Sequence, residues 1–266
     1  MVDKSEKFSW LVRLGYAARG VVYLLLGYLA LSTAGKAQDG QSAVFDLIQD
    51  VPGGTAMLYL VAIGLLAYAA FKLIDAATDL ENHGDDAKGK AKRVGSAASG
   101  IAHLALAYTA YQFAVGEKQQ SAEGGGGSQE TAGSLLTWDI GPFLLGIVGV
   151  GFIVGAAMQA KSAYTASFMK HIGGGAPSYV KPIGQAGHAA RVVVFLLIGW
   201  SLIKAAWLSQ SGEVKGLGEA LVALSGSGII YSLVAVGLIF FGVFSLITAR
   251  YRIIPDIQKG DLKPKL

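Results

Sequence analysis

The sequence predicts an all-α integral membrane protein: six transmembrane helices built as three tandem two-helix repeats in a pseudo-threefold bundle. Three observations predict it. Only 15% of the 266 residues are charged while 53% are apolar, whereas soluble domains run near about 25% charged. Six apolar stretches reach the roughly 20 residues that a spanning helix needs. The same residue pattern also returns three times along the chain.

The spans fall at about 14–34, 54–76, 95–115, 141–163, 185–207 and 228–250. These runs are too long for strands and lack period-2 alternation, which also excludes an outer-membrane barrel. The 37 glycines agree with membrane helices, where glycine is commoner than in soluble ones. The first span imitates a signal peptide, with Lys4, Lys7 and Arg13 before Val21–Leu31 and a cleavage-like Ser32-Thr33-Ala34. Its pattern recurs twice later in the chain, so it reads as part of the fold.

Orientation follows from lysine and arginine. With the N-terminus in the cytoplasm, the outer segments hold only Lys36, Lys118, Lys204 and Lys215, and the other eighteen basic residues lie inside. The prediction is a multi-pass protein of the plasma (inner) membrane with both termini cytoplasmic. This sorting also explains the net charge of +4 without nucleic acid. The absence of cysteine excludes disulfides, thiolate zinc sites, iron–sulfur clusters and cysteine nucleophiles.

The repeats lie at about 12–80, 93–165 and 184–252 within a single membrane domain, 1–266. Gly15-Tyr16-Ala17-Ala18-Arg19-Gly20 aligns with Gly95-Ser96-Ala97-Ala98-Ser99-Gly100 and with Gly187-His188-Ala189-Ala190-Arg191-Val192. Gly27, Ala107 and Gly199 follow in register. In the second helices Gly64, Gly151 and Gly237 align, each closing a four-residue block of small and β-branched residues. Because each unit has two spans, all three enter the membrane in the same direction, as parallel repeats about an axis along the membrane normal.

The pattern Arg13-x-Gly15-Tyr16-x-Ala18-Arg19-Gly20-Val21-Val22-Tyr23, a loop ending in Pro52-Gly53, and Gly64-Leu65-x-x-Tyr68 resembles the bacterial membrane family catalogued as domain of unknown function 1206. The resemblance covers nearly the whole chain. It implies three tandem two-helix units in a bacterial inner membrane and implies no activity. The second unit departs most, with Ser99 in place of arginine, and the third has His188 in place of tyrosine.

Ionisable groups inside spans are costly and are therefore the functional candidates. Arg19 lies four residues past Gly15, about 6 Å deeper along a regular helix, and Arg191 holds the same place in the third unit. Either they snorkel to the headgroups, or they turn inward as a cationic collar for lipid phosphates or an anionic solute. Asp75 is the expected salt-bridge partner if the collar is structural. His103 lies roughly 12 Å past Gly95, well inside the core. Aromatic Tyr23 and Phe195 hold its position elsewhere, so a neutral histidine bonded to a neighbouring helix is the expectation, with a proton relay as the alternative. His188 is expected to anchor at the interface. His83 lies in Glu81–Asp86, which reads as a solvated charge run because no helical ligand spacing accompanies it; weak divalent-cation binding is the lesser alternative, and no metal site is expected.

No catalytic motif is present: no H-E-x-x-H, G-x-S-x-G or phosphate-binding Walker loop. Gly151-x-x-x-Gly155 reads as a close helix-packing face. Ala43–Ile48 and Gly218–Leu224 read as short helical turns at the outer interface, and Glu123–Ser128 as a flexible linker. The basic C-terminal tail, with Arg250, Arg252, Lys259, Lys263 and Lys265, suits anionic lipids, although topology alone also explains those charges. No cofactor is expected. The expected partners are the lipid bilayer, anionic lipids and an unidentified membrane protein; nucleic acid is not among them. The sequence thus favours a non-enzymatic membrane module, structural, accessory or lipid-binding. The alternatives are a transporter or permeation protein for a lipidic or small anionic solute, and a membrane enzyme with a cytoplasmic-face site.

Overall fold

Apolar runs studded with glycine form helices whose backbones approach closely, and this governs the architecture. A computed structural model describes residues 4–32, 41–116 and 126–254. Lys36, Lys118, Glu123–Gly125 and the tail lysines 259, 263 and 265 lie outside the described residues. Among those described, the regular elements are helices: α1 (Lys4–Ser32), α2 (Gln41–Gln49), α3 (Gly54–Thr78), α4 (Ala87–Ala114), α5 (Gly126–Leu136), α6 (Gly141–Thr165), α7 (Val180–Leu208), α8 (Leu217–Ala223) and α9 (Ile229–Tyr251). Short 3-10 turns join some of them, and one antiparallel bridge pairs Ile172 with Arg252.

Five of these helices are long and apolar enough to cross a membrane: α1 from Phe8, α3, α6, α7 and α9. With 28 residues, α4 has the length but less apolarity, because Lys88, Lys90, Lys92 and Arg93 crowd its first two turns and His103 and Gln112 interrupt the rest. Outward faces carry exposed Leu60, Ile63 and Leu66 on α3, Phe143, Ile147 and Val154 on α6, and Ile229 and Leu233 on α9. Apolar surface on this scale belongs against lipid or another chain.

The long helices pack in a chain of neighbours: α4 on α3, α3 on α1, α1 on α9, α9 on α7 and α7 on α6. Glycine makes each crossing. A Cβ on Gly15 would stand 2.8 Å from the backbone nitrogen of Tyr68, and one on Gly187 would stand 2.8 Å from that of Phe241. Gly149 and Gly199 face each other across α6 and α7, and Gly20 and Gly242 across α1 and α9, each within 2.9 Å of the other's carbonyl oxygen by the same measure. Only a residue without a side chain permits such approach. The expected packing face at Gly151-x-x-x-Gly155 is corrected in part. Gly155 lies under Phe195, but nothing stands within 4 Å of a Cβ on Gly151, because the close contact of α6 is made two residues earlier, at Gly149.

The N-terminal half of α1 and the last turn of α9 meet at one end of the bundle, where Arg13 donates to the carbonyls of Ala249 (2.9 Å) and Arg250. The opposite end is closed by α2, α5 and α8. Their apolar faces turn into the core: Val44, Phe45 and Ile48 of α2 and Ala220 and Leu221 of α8 are buried. The linker expected at Glu123–Ser128 is corrected where it is described: Gly126 already begins α5. Burial of Ala132 and the bond from Gln129 to the Val214 carbonyl (3.3 Å) hold this helix against glycine's poor propensity.

Candidate functional site

Two arginines sit in the interior near the terminal end, held by rings rather than by carboxylates. Arg19 is 8% exposed. Its Nε donates to the Ser245 hydroxyl at 2.8 Å and its Nη1 to the Tyr68 hydroxyl. Its guanidinium lies 4.8 Å from the Tyr16 ring centre and 4.7 Å from that of Tyr68. Arg191 lies 4.7 Å from Phe195 and 5.8 Å from Tyr23, and its buried Nε has no hydrogen-bond partner.

Both guanidiniums share one ring. Phe241 is 5.1 Å from Arg19 and 4.4 Å from Arg191, so the two charges lie within about 10 Å of each other. Among the described residues neither has a carboxylate at ion-pair distance. Cation–π contacts supply about 2 kcal/mol each when desolvated, while taking a charge out of water costs several kcal/mol per ion. With three rings on each guanidinium the contacts are of the same order as the desolvation cost, but rings and hydroxyls carry no opposite charge, so among the described residues the positive charge of the pair is not neutralised.

His103 joins this layer. Its ring packs on Tyr68 with centres 4.5 Å apart, which is the aromatic role its alignment suggests. The hydrogen bond expected to a neighbouring helix is corrected: Nδ1 meets the Ser99 carbonyl of its own helix at 2.7 Å, since that carbonyl is one turn away. His188 is packed among aromatic rings. It is stacked on Phe168 (5.0 Å), flanked by Phe241 and Phe244, and bonded through Nδ1 to Gln159.

Asp75 does not pair with Arg19. It lies fully buried in a separate charge cluster. It accepts from the Ser96 hydroxyl (2.7 Å) and the Glu81 amide (2.8 Å), and pairs with His83 Nε2 at 3.2 Å. Glu81 pairs with Lys72 (3.1 Å) and with Arg252, whose guanidinium also covers Tyr16 at 4.8 Å. His83 is thus folded in rather than part of a solvated run. The cause is the left-handed Asp79 that ends α3, whose carboxylate accepts from the His83 and Gly84 amides. Ligand atoms of Asp75, Glu81 and His83 lie within 4.8 Å of one another, but Lys72 and Arg252 already engage both oxygens of Glu81.

Alignment set Arg19 and Arg191 at one level and His103 apart from them, and it did not single out the residues that hold them, Tyr68, Phe241 and Ser245, or Gln159, which holds His188. Register held the signal, because Tyr68 and Phe241 both fall four residues past the aligned glycines Gly64 and Gly237. Two outward clefts are also present, one of about 480 Å³ between α3 and α4 lined by Tyr59, Ile63, Tyr108 and Tyr111, the other beside Trp200 and Trp207.

The model of the family "Domain of Unknown Function (DUF1206)" matches three segments of the chain, residues 14–79, 94–166 and 186–252. The chain is also similar to "Uncharacterized protein YxxB" of Bacillus subtilis (strain 168), at 32% identity over 263 residues covering 94% of each chain. No solved structure matches.

Proposed function

We propose, for a chain that belongs to the DUF1206 family, that it is a six-span plasma-membrane protein of three two-helix repeats with both termini cytoplasmic. We further propose that it acts as a non-enzymatic module, holding an anionic group against Arg19 and Arg191. Packing supports the repeat: the second long helix of each unit lies on the first of the next, α3 on α4, α6 on α7 and α9 on α1. That order closes on itself, as a threefold arrangement requires. In this reading α4 is the sixth span. Its exposed Ile101, Leu104, Tyr108 and Tyr111 face lipid, while its lysines mark the cytoplasmic end.

The observation that carries the binding reading is the ring of Phe241 between two guanidiniums that have no carboxylate at ion-pair distance among the described residues. Two such charges near a headgroup layer favour phosphate, which arginine binds in a bidentate manner. The test is lipid retention, followed by native mass spectrometry of protein purified from phosphatidylglycerol-containing membranes. Arg19→Gln with Arg191→Gln lowers the retained anionic lipid; retention at the wild-type level contradicts the reading. An axial permeation path is the second reading.

A further inference from the structure

The second repeat is built open. In repeats one and three the two long helices cross face to face, α1 on α3 and α7 on α9. Gly64 then lies against Ala18, and Gly237 against Ala190, with Cβ positions 2.6 and 2.4 Å apart. Their counterparts in repeat two are Gly151 and Ala98. No packing of that kind joins α4 to α6, and neither Gly95 nor Gly151 has an atom within 4 Å of a Cβ.

The same face changes burial on both helices. Ala18 and Ala190 are buried and Ala98 is exposed. Val61 and Val234 are buried while Val148 is 47% exposed, and Phe71 and Phe244 are buried while Met158 is 39% exposed. The sequence shows why. Repeats one and three clasp this crossing with an arginine over an aromatic ring, Arg19 on Tyr68 and Arg191 on Phe241. Repeat two has Ser99 and Gly155 at those places, and Ala102 where Val22 and Val194 stand. Both halves of the clasp are missing together.

We infer that the α4–α6 seam seats an anionic glycerophospholipid, its acyl chains on the small-residue faces and its phosphate at the lysine-bearing mouth. Charge distribution selects this occupant. Lys88 and Lys92 fall seven and three residues before Gly95, on the same helix face, and Lys161 falls three after Met158 on the facing helix. None of the three has an ion-pair partner among the described residues. Among the described residues the far end of the seam, at Thr109 and Gln112 of α4 and Gly141 and Leu144 of α6, carries no cation. A second copy of this chain, packed side by side in the same orientation, would bring two such lysine clusters together, which like-charge repulsion disfavours. A phosphate neutralises them. The inference rests on the reading of the chain as a membrane bundle, and it is carried by residues other than the arginine pair.

The test is native mass spectrometry of the full chain from nanodiscs of phosphatidylglycerol or of phosphatidylcholine. Wild type retains phosphatidylglycerol selectively. Lys88→Gln, Lys92→Gln and Lys161→Gln each weaken that retention roughly fivefold, the contribution of one basic residue near an anionic headgroup. These exposed changes leave the core intact, so they serve where the seam-filling Gly151→Leu fails to fold. Arg19→Gln with Arg191→Gln leaves the lysine-dependent part of the retention in place, which separates failure of this seat from failure of the arginine site. Because the chain has no native cysteine, Ala98→Cys with Gly151→Cys reports the seam itself and stays uncrosslinked in phosphatidylglycerol. Three results overturn the proposal: lysine variants retaining lipid as wild type does, rapid intramolecular crosslinking in phosphatidylglycerol, or crosslinking between two copies.

Discussion

Gly15 of α1 lies directly on the backbone of Tyr68 of α3, at a separation that leaves no room for a single added carbon. The aligned Gly95 faces open space. One substitution made at both positions therefore has opposite consequences. Gly15→Ala forces the α1–α3 crossing apart, and overpacking of this kind costs about 1–3 kcal/mol. Gly95→Ala meets nothing and gains up to about 1 kcal/mol from the higher helix propensity of alanine. Unfolding titrations in detergent distinguish them, and equal effects at the two sites would contradict the packing described.

The Tyr68 hydroxyl is the acceptor for Arg19 Nη1. Tyr68→Phe keeps the ring under the guanidinium and removes the acceptor, leaving a buried charged donor unpaired at a cost of about 1–3 kcal/mol. The same titration measures this. Phe241→Leu, which removes the shared ring without touching a hydrogen bond, separates the cation–π contribution.

Glu81 ties the turn after α3 to the end of α9 through Arg252 and Lys72. With both partners largely buried, Glu81→Gln leaves two cations unneutralised, and breaking a buried pair costs about 3–5 kcal/mol. Limited proteolysis of the chain just beyond residue 252 should become markedly faster in this variant. An unchanged cleavage rate would mean that the bridge from Ile172 to Arg252 holds that end unaided.

His171 lies in the turn Ser167–His171, between α6 and α7. Burial, and then the charges of Lys72, His83 and Lys92, hold it below the ordinary histidine value. The unfolded chain takes up a proton near pH 6.5 that the folded turn resists. Stability from this group is therefore full above that pH and declines as pH falls through it. His171→Gln should flatten the acid-side loss of apparent Tm between about pH 7 and pH 5. A slope unchanged by the substitution would assign the acid sensitivity to other groups.

Much of the architecture was legible because a helix in lipid must be long, apolar and closely packed, and each demand leaves a mark in sequence. Helix α3 shows all three, from Gly54 at its start to Gly64 at its crossing. Helix α4 does not: its lysines and His103 dilute the apolar signal that the other long helices carry. The role of α5 was hidden because Gly124 to Gly127 reads as a linker, whereas Ala132 and Leu135 find a surface to pack on only in three dimensions. At the site, alignment located Arg19, Arg191 and His103. It could not say that Asp75 turns away to His83 and Ser96, since that choice depends on the left-handed turn at Asp79. The open seam was written in Ser99 and Gly155, two small residues whose meaning emerges only beside the Arg–aromatic pairs they replace.

The most direct test of the whole account is which side of the membrane each terminus occupies. Six crossings return the chain to its starting side; five, with α4 left out of the bilayer, do not. Paired reporter fusions at residues 1 and 266, one active only in the cytoplasm and one only outside it, read this in intact cells. The account predicts that both termini report the cytoplasm, and termini on opposite sides would contradict it.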